Sequence, residues 1–321
     1  MNRTWIGRAF VLALVAVVGL GAAAANPETN EPLRVFEAAG RRVVIDASTR
    51  TMSFDGASLA EASSVTDATV MENYLFVARR GGEVLVYELP DPETDGVPAL
   101  VQRLEGLGRD ARSIAAAADV GRVLLLSAGT TEIFGIRIHD RDVIDGGEVD
   151  DPAYVDHARF LDFIRDEDGN ADEPRAMAVG PRTLALATDK EVLELVYPDR
   201  SYNVVTRAPL PEGVARIDAI AYTGSHWVFT GLSDTADPVL MAAAGVAGPW
   251  SDLGVLVVDQ ALKGKDGPIA WLPGGFTVED GRVHLAIRGE RGAVASWPAS
   301  LLELTNAAVE VRWLGGAGDG G

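Results

Sequence analysis

Short apolar segments with the composition of β-strands recur along this chain. Each has six residues and follows one or two turn-forming residues. The clearest five are YLFVAR at 74–79, VLLLSA at 123–128, TLALAT at 183–188, WVFTGL at 227–232 and VHLAIR at 283–288. Their first residues are 49, 60, 44 and 56 positions apart. This repeat restricts the fold more than any other feature, because each unit must bury its apolar surface against its neighbours.

Further strands are predicted beside each of these segments. A second apolar segment follows after a short polar turn, as at 84–89, and a more distant third completes several units. A four-stranded unit repeated about every fifty residues is typical of a β-propeller blade. Five blades are detectable, and segments near both ends of the chain predict a sixth blade that the two termini share. We therefore expect an all-β, six-bladed β-propeller. A β-sandwich or two small all-β domains are the alternatives.

The first 25 residues have the layout of an export signal. Arg3 and Arg8 precede an apolar stretch at 9–21, and small residues at 23–25 form a cleavage site. The apolar stretch is shorter than the roughly 20 residues of a membrane-spanning helix. The sequence thus predicts a Sec-type signal peptide at 1–25, a periplasmic or secreted protein, and no transmembrane segment after cleavage.

The remaining chain is divided by composition. We expect a polar leader at 26–32, a propeller domain at 33–314 and a glycine-rich tail at 315–321. An acidic insertion is expected at 140–173, which contains 13 acidic residues and only three arginines. This segment is interpreted either as a cation-binding or partner-docking insertion or as a polar loop kept soluble by its charge.

One repeat unit has a more distinctive sequence than the others. It reads NYLFVAR at 73–79, GEVLVYELPD at 82–91 and PALV at 98–101. It resembles the repeats of exported bacterial β-propellers of the LVIVD and YVTN type, in which a second strand ends in an Asp-Pro turn before an outer strand. The resemblance implies an extracytoplasmic binding or scaffold protein. It transfers no catalytic residue to this chain.

Composition excludes several kinds of site and partner. The chain has no cysteine, which excludes disulfides, thiolate zinc sites, iron–sulfur clusters and a cysteine nucleophile. The net charge of −19 argues against nucleic acid as a partner. No Gly-x-Ser-x-Gly elbow occurs, and the four histidines lack metal-ligand spacing. His226 and His284 occupy equivalent positions in two repeats and are expected either to approach the central channel or to be packed.

One loop carries a partial calcium-binding pattern. Asp166, Asp168, Asn170 and Asp172 place oxygen ligands at alternate positions, as a hard cation requires. The glycine and the final bidentate glutamate of a complete calcium loop are missing. We expect either a weak Ca²⁺ site, with no other cofactor, or a solvated acidic connector.

Three functions remain open from the sequence. The first is an exported, non-catalytic, monomeric propeller that binds an envelope protein or glycan. The second is a Ca²⁺-dependent, lactonase-like propeller hydrolase, with Glu72 and Glu279 as candidate acids near strand starts. The third is a structural or adhesive surface module. Carboxylates, amides and histidines around the channel mouth would favour the enzyme, and apolar or unmatched residues would favour binding.

The calcium hypothesis predicts a specific stabilisation. With a dissociation constant of about 1 mM, 10 mM Ca²⁺ should stabilise the fold by about 1.4 kcal/mol and raise Tm by roughly 2–4 °C. Mg²⁺ at the same concentration controls for charge screening, because it prefers a smaller octahedral site. Calorimetry should show a larger shift with Ca²⁺ than with Mg²⁺, and Asp168→Ala should abolish the difference. Equal shifts that the variant leaves unchanged would mean a solvated connector.

Overall fold

The computed structural model describes twelve parts of the chain, which hold 24 β-strands and one short 3-10 helix, Ala118–Val120. The described residues are 32–46, 49–128, 132–139, 151–161, 164, 172, 174–197, 201–253, 270–279, 281–288, 293–300 and 310–313. These strands form six four-stranded antiparallel sheets, each built from four consecutive strands.

The first three sheets extend to residue 160. Sheet 1 contains β1 (Pro32–Ala38), β2 (Arg41–Asp46), β3 (Met52–Phe54) and β4 (Ala57–Ser58). Sheet 2 contains β5 (Val65–Met71), β6 (Tyr74–Arg79), β7 (Glu83–Glu88) and β8 (Ala99–Leu104). Sheet 3 contains β9 (Asp110–Ala117), β10 (Arg122–Ala128), β11 (Glu132–Ile138) and β12 (Ala153–Phe160). Strand β12 therefore lies inside the predicted acidic insertion at 140–173.

The other three sheets follow the same order. Sheet 4 contains β13 (Ala176–Gly180), β14 (Thr183–Ala187), β15 (Glu191–Val196) and β16 (Asn203–Pro209). Sheet 5 contains β17 (Val214–Tyr222), β18 (Trp227–Ser233), β19 (Pro238–Ala243) and β20 (Ser251–Asp252). Sheet 6 contains β21 (Ala270–Glu279), β22 (Arg282–Arg288), β23 (Ala293–Pro298) and β24 (Glu310–Trp313).

The first strands of the sheets are neighbours around a central channel. Strand β5 lies against β9, β9 against β13, β13 against β17, β17 against β21, and β21 against β1. An ion pair between Arg34 of β1 and Asp67 of β5 joins the first two sheets. Consecutive four-stranded sheets arranged in this way are a β-propeller, as the repeat predicted.

The apolar segments that define the sequence repeat are the second strands, not the innermost ones. In β6, five of the six residues are buried. Such a strand has a hydrogen-bonded neighbour on each side and a packed sheet on each face, so its sequence is almost continuously apolar. The innermost strand of each sheet precedes such a segment in the sequence. An innermost strand such as β9 is less continuously apolar, because one of its edges faces the channel.

The predicted sharing of one blade by both termini is wrong for the described residues. Sheet 1 is built entirely from residues 32–58, and no described C-terminal strand pairs with it. Sheet 6 is complete with residues 270–313. The two sheets meet by packing of β1 against β21 and β22. The sequence analysis missed β1 as an innermost strand because its apolar pattern is weak, with exposed Glu37 between buried Phe36 and Ala38.

The hydrophobic core consists of layers between adjacent sheets. Four buried clusters join sheets 1 and 2, 2 and 3, 3 and 4, and 4 and 5. Strand β6 contributes to two of them, because Leu75 packs toward sheet 1 and its neighbour Phe76 packs toward sheet 3. Leu124 and Leu125 of β10 divide in the same way between sheets 4 and 2. Alternating side chains thus bind each sheet to both neighbours.

One carboxylate connects three sheets across the apolar layers. Asp67 of β5 is 8% exposed and pairs with Arg34 of β1. Its Oδ2 accepts hydrogen bonds from the backbone N–H of Ile114, at 2.9 Å, and from Ser113 Oγ, at 3.2 Å. Its Oδ1 accepts the N–H of Ala68 at 2.8 Å. A buried charge needs several such partners, and here they come from sheets 1, 2 and 3.

Asp67→Ala is expected to lower the free energy of unfolding by about 3 kcal/mol, because it removes the acceptor of Arg34 and of three backbone or hydroxyl donors. Tm should fall by roughly 6–12 °C in calorimetry. Glu310→Ala is a matched control, since Glu310 pairs with Arg282 at 3.2 Å but its side chain is 75% exposed. Exposed pairs contribute little, so this variant should melt as wild type does. Equal losses in both variants would contradict the role given to Asp67.

Candidate ligand site in the central channel

The channel contains a cavity of about 740 Å³. Its walls come mainly from the first strands of sheets 2 to 5, and seven of the lining residues are alanines. The alanines that line it are Ala111, Ala115, Ala116, Ala176, Ala178, Ala219 and Ala221. A cavity of this size falls in the range of small-molecule sites, which is about 300–1,000 Å³.

Six arginines line this cavity, and all belong to one end of the channel. They are Arg34, Arg50, Arg80, Arg112, Arg175 and Arg216. The first strands run parallel, since Asp67 contacts Ile114 and Thr69 contacts Ala116 two residues further along both strands. Four of the arginines stand at or just before the start of a first strand. Arg50 lies in the turn between β2 and β3, and Arg80 follows β6, which are turns at that same end.

We call this end the arginine mouth. Three aspartates also line the cavity: Asp67, Asp110 and Asp218. The charged lining residues therefore sum to +3, six arginines against three aspartates, in a chain with a net charge of −19. The local charge has the opposite sign to the charge of the whole protein. Low-dielectric channel walls concentrate such a field.

β-Bulges direct several of these side chains into the mouth. In β5, β9 and β17 the pairing with the second strand slips by one residue near the start of the strand. The extra residues include Thr66, Arg112 and Asp218, and all three line the cavity. A bulge turns a side chain away from the alternation of a regular strand. In β17 the bulge also brings the Arg216 carbonyl so close to Gly231 that a Cβ there would lie 1.9 Å from it.

Three of the six arginines are held by carboxylates. Arg34 pairs with Asp67, and Arg216 pairs with Asp218 through Nε at 2.7 Å and Nη2 at 3.1 Å. Arg175 makes two hydrogen bonds to Asp189 in the turn after β14. The bond from Arg175 holds the pKa of Asp189 below its ordinary value, and the nearby charges of Arg112 and Arg216 act in the same direction. The mouth is thus positive enough to stabilise a carboxylate.

Two of the other arginines, Arg50 and Arg80, oppose each other's positive charge, and neither has a carboxylate partner within the described residues. Partial burial, and then the charge of Arg80, lower the pKa of Arg50, so the folded state disfavours its positive charge. Within the residues that the structure describes, neither side chain forms an ion pair. Asp110 lies across a backbone bridge from Arg80, and its carboxylate accepts the backbone N–H of Gly81 at 3.1 Å.

The structure does not test the predicted calcium site. Asp166, Asp168 and Asn170 lie outside the described residues. Asp172 is described; it is partly buried, and its N–H donates to the Ile164 carbonyl at 3.3 Å. Among the described residues no three acidic or histidine side chains are grouped as a metal site would need. The candidate acid Glu72 is exposed in the turn between β5 and β6, at the opposite end of sheet 2 from the arginine mouth.

The histidines do not line the channel cavity. His226 is 2% exposed beside the start of β18, a second strand, and its Nδ1 lies 2.7 Å from Ser225 Oγ. His284 belongs to β22, also a second strand. His157 lies 3.1 Å from the Tyr202 hydroxyl, and His139 stacks on Tyr154. For His226 the packed alternative is therefore the one observed, and His284 is partly buried on a strand that is not innermost.

The sequence analysis missed the arginines, although it contained a signal for three of them. The weaker apolar segments at 113–118, 175–179 and 217–222 each begin with or directly follow an arginine, which is Arg112, Arg175 or Arg216. These segments are the innermost strands β9, β13 and β17. The repeated arginine becomes meaningful only when these strands are known to line the channel.

Comparisons with known proteins find a similarity of fold only. No protein family model and no curated protein sequence matches it. Similar solved structures include the β-propeller domain of Cps50 (Swd1) from Myceliophteria thermophila, with 8% identity, a TM-score of 0.43, and 65% of this chain and 64% of that chain covered. The match thus spans less than two thirds of that domain.

Two further matches cover more of both chains. A chain of the nidogen/laminin complex has 9% identity and a TM-score of 0.47, with 84% of this chain and 90% of that chain covered. A chain of the mitotic checkpoint complex has 11% identity and a TM-score of 0.45, with 85% and 72% covered. The likeness in all three is one of fold alone.

Within the described part of the chain, no helix has the length and apolarity of a membrane span.

Arg80→Gln is expected to leave the stability of the ligand-free protein unchanged or to raise Tm by about 1–2 °C, because it removes a repulsion and no ion pair. Arg34→Gln is the comparison, since it removes a partner of buried Asp67 and should lower Tm by several degrees. Both melts can be measured by calorimetry at low ionic strength. A fall for Arg80→Gln as large as that for Arg34→Gln would show that Arg80 holds the fold together.

Proposed function

We propose that this chain is an exported, non-catalytic, six-bladed β-propeller that binds a ligand in its central channel, as a binding or scaffold protein of the cell envelope. The observation that carries the proposal is the cavity of about 740 Å³ with its arginine mouth. Three of the six arginines have carboxylate partners, but like charges at one end of a cavity cost stability, so a structural role does not account for Arg50 and Arg80. Binding of a ligand does.

The groups that line the cavity support binding rather than catalysis. Six of its nine charged residues are arginines. A guanidinium stays protonated near neutral pH and so does not act as a general acid or base there. Of the aspartates, Asp67 is buried among four donors and Asp218 is paired with Arg216. Carboxylates so engaged are poorly placed to act as a general acid or base. This favours the binding protein over the lactonase-like hydrolase.

The location of the protein rests on its first 25 residues. Their charged start, short apolar stretch and small-residue cleavage site support export to the periplasm or beyond. The acidic loop with Asp166, Asp168, Asn170 and Asp172 is proposed as a separate, weak Ca²⁺ site. In the sequence it falls between β12 and β13.

Filling the channel should abolish ligand binding. Ala219 of β17 lines the cavity and is partly exposed, so Ala219→Phe occupies cavity volume. Ala118→Phe, at an exposed site outside the cavity, is the control. A thermal-shift panel of neutral sugars, amines, carboxylates, phosphates and divalent cations should contain a class that raises the Tm of wild type. At a hundredfold excess over Kd the gain is about 2.7 kcal/mol, or roughly 5–10 °C.

The same shift should persist in Ala118→Phe and disappear in Ala219→Phe. A panel in which no class shifts wild type, or a shift that survives filling of the channel, would refute a channel-binding function. Export is tested by measuring the intact mass of the protein recovered from the periplasm or medium. This mass should be that of a chain that starts at Asn26. A full-length mass in the membrane fraction would refute cleavage.

A further inference from the structure

We propose that the channel takes a small organic anion, whose carboxylate or phosphate head binds between Arg50 and Arg80 at the arginine mouth and whose uncharged body enters the alanine-lined channel. This inference rests on the proposed function and adds the chemical class of the ligand. It depends on three features of the described residues: unbalanced charge, the choice of arginine, and the division of the cavity into a charged end and an apolar wall.

The first feature is the unbalanced charge. Three mouth arginines are bound by Asp67, Asp189 and Asp218, and Arg112 donates to the Pro174 carbonyl at 3.3 Å. Arg50 and Arg80 remain as cations from sheets 1 and 2. They are neighbours, since the Arg50 carbonyl accepts the N–H of Val65 and the Arg80 N–H donates to the carbonyl of Ser64. An anion between them would replace a repulsion by two attractions. It would also oppose the lowering of the Arg50 pKa by burial and by the charge of Arg80.

The second feature is that every cationic lining residue is an arginine. A guanidinium presents parallel N–H groups that match the two oxygens of a carboxylate or the oxygens of a phosphate. The mouth already uses this geometry internally, since Arg175 donates hydrogen bonds to Asp189 through two nitrogens. A ligand oxyanion would be held in the same way.

The third feature is the wall behind the mouth. Beyond the charged residues the lining includes Ala115, Ala116, Ala219 and Ala221, with Tyr222 and Val278 further along. None of these side chains carries a charge. The inorganic anion alone would leave this part of the cavity empty of ligand. An organic body of aromatic or aliphatic character would bury apolar surface there, which adds to affinity in proportion to its area.

The net charge of the protein makes the local field selective. A chain at −19 repels anions in general, so anions bind only where the local potential reverses. The arginine mouth is such a place at low and moderate ionic strength. Affinity should therefore fall as salt is added, because screening weakens attraction between partly exposed charges.

Four small probes separate the parts of this proposal. Benzoate and phenyl phosphate carry the two candidate heads on the same ring, benzamide is the neutral analogue, and inorganic phosphate is the head alone. Titration calorimetry at about 20 mM ionic strength should show one-to-one binding of at least one organic anion. Benzamide should not bind measurably, and inorganic phosphate should bind more weakly than phenyl phosphate. The better of the two organic anions identifies the head.

Substitutions at the mouth locate the binding. Arg50→Gln and Arg80→Gln should each weaken the anion by on the order of tenfold, the worth of one charged hydrogen-bonding partner. Arg159→Gln is the matched control, because it changes the net charge equally from an exposed position on outer strand β12. The Arg159→Gln variant should bind the organic anion as tightly as wild type does. Circular dichroism and a thermal melt verify that each variant is folded.

Several results would overturn the proposal. Equal losses in Arg159→Gln and the mouth variants would mean attraction by overall charge only. Binding of benzamide as tight as that of benzoate would refute the anion while leaving a channel ligand in place. Inorganic phosphate binding as tightly as phenyl phosphate would refute the role of the apolar wall. Absence of binding by every anion at 10 mM would refute the ligand class, and the broader panel on the channel-filled variant would still decide the proposed function.

Discussion

The face-to-face packing of neighbouring sheets is the interaction on which the rest of this structure depends. In β6 the adjacent residues Leu75 and Phe76 enter two different apolar layers, and in β10 Leu124 and Leu125 do the same. Full burial of each such side chain contributes roughly 1.5–3 kcal/mol. Because both faces of every such sheet are used in this way, the first strands are left with one edge toward the channel. The channel is therefore a consequence of how the sheets pack, and its wall is open to residues that the core does not need.

The charged residues at the arginine mouth divide into a structural and an available set. Asp67 joins Arg34 of sheet 1 to the backbone of sheet 3. It is buried, so its loss would lower the stability of the whole propeller. Asp189 and Asp218 similarly fix Arg175 and Arg216 in place. Arg50 and Arg80 are positioned by this frame but not neutralised within the described residues. Stability and binding thus depend on different arginines of one cluster, and the two roles can be separated by substitution.

The sequence predicted the class of fold because a repeat of apolar strands leaves few alternatives. It did not predict which strand of each unit is innermost. Burial makes second strands such as β6 conspicuous, whereas channel-facing strands such as β9 and β17 mix apolar and polar residues. For the same reason the sequence left open whether His226 and His284 approach the channel, and both lie in or beside second strands. The bulges that aim Arg112 and Asp218 into the cavity depend on pairing register, which no single segment encodes.

The central claim is that an organic anion lies between Arg50 and Arg80 with its body in the channel. A crystal of the protein soaked with 4-bromobenzoate tests it directly, because the bromine gives an anomalous signal that marks the end of the ring away from the carboxylate. The account predicts a carboxylate within hydrogen-bond distance of both guanidinium groups and a bromine peak among the alanines of β9 and β17. Bromine peaks only on the outer surface, with an unoccupied channel at a concentration that saturates binding in solution, would contradict it.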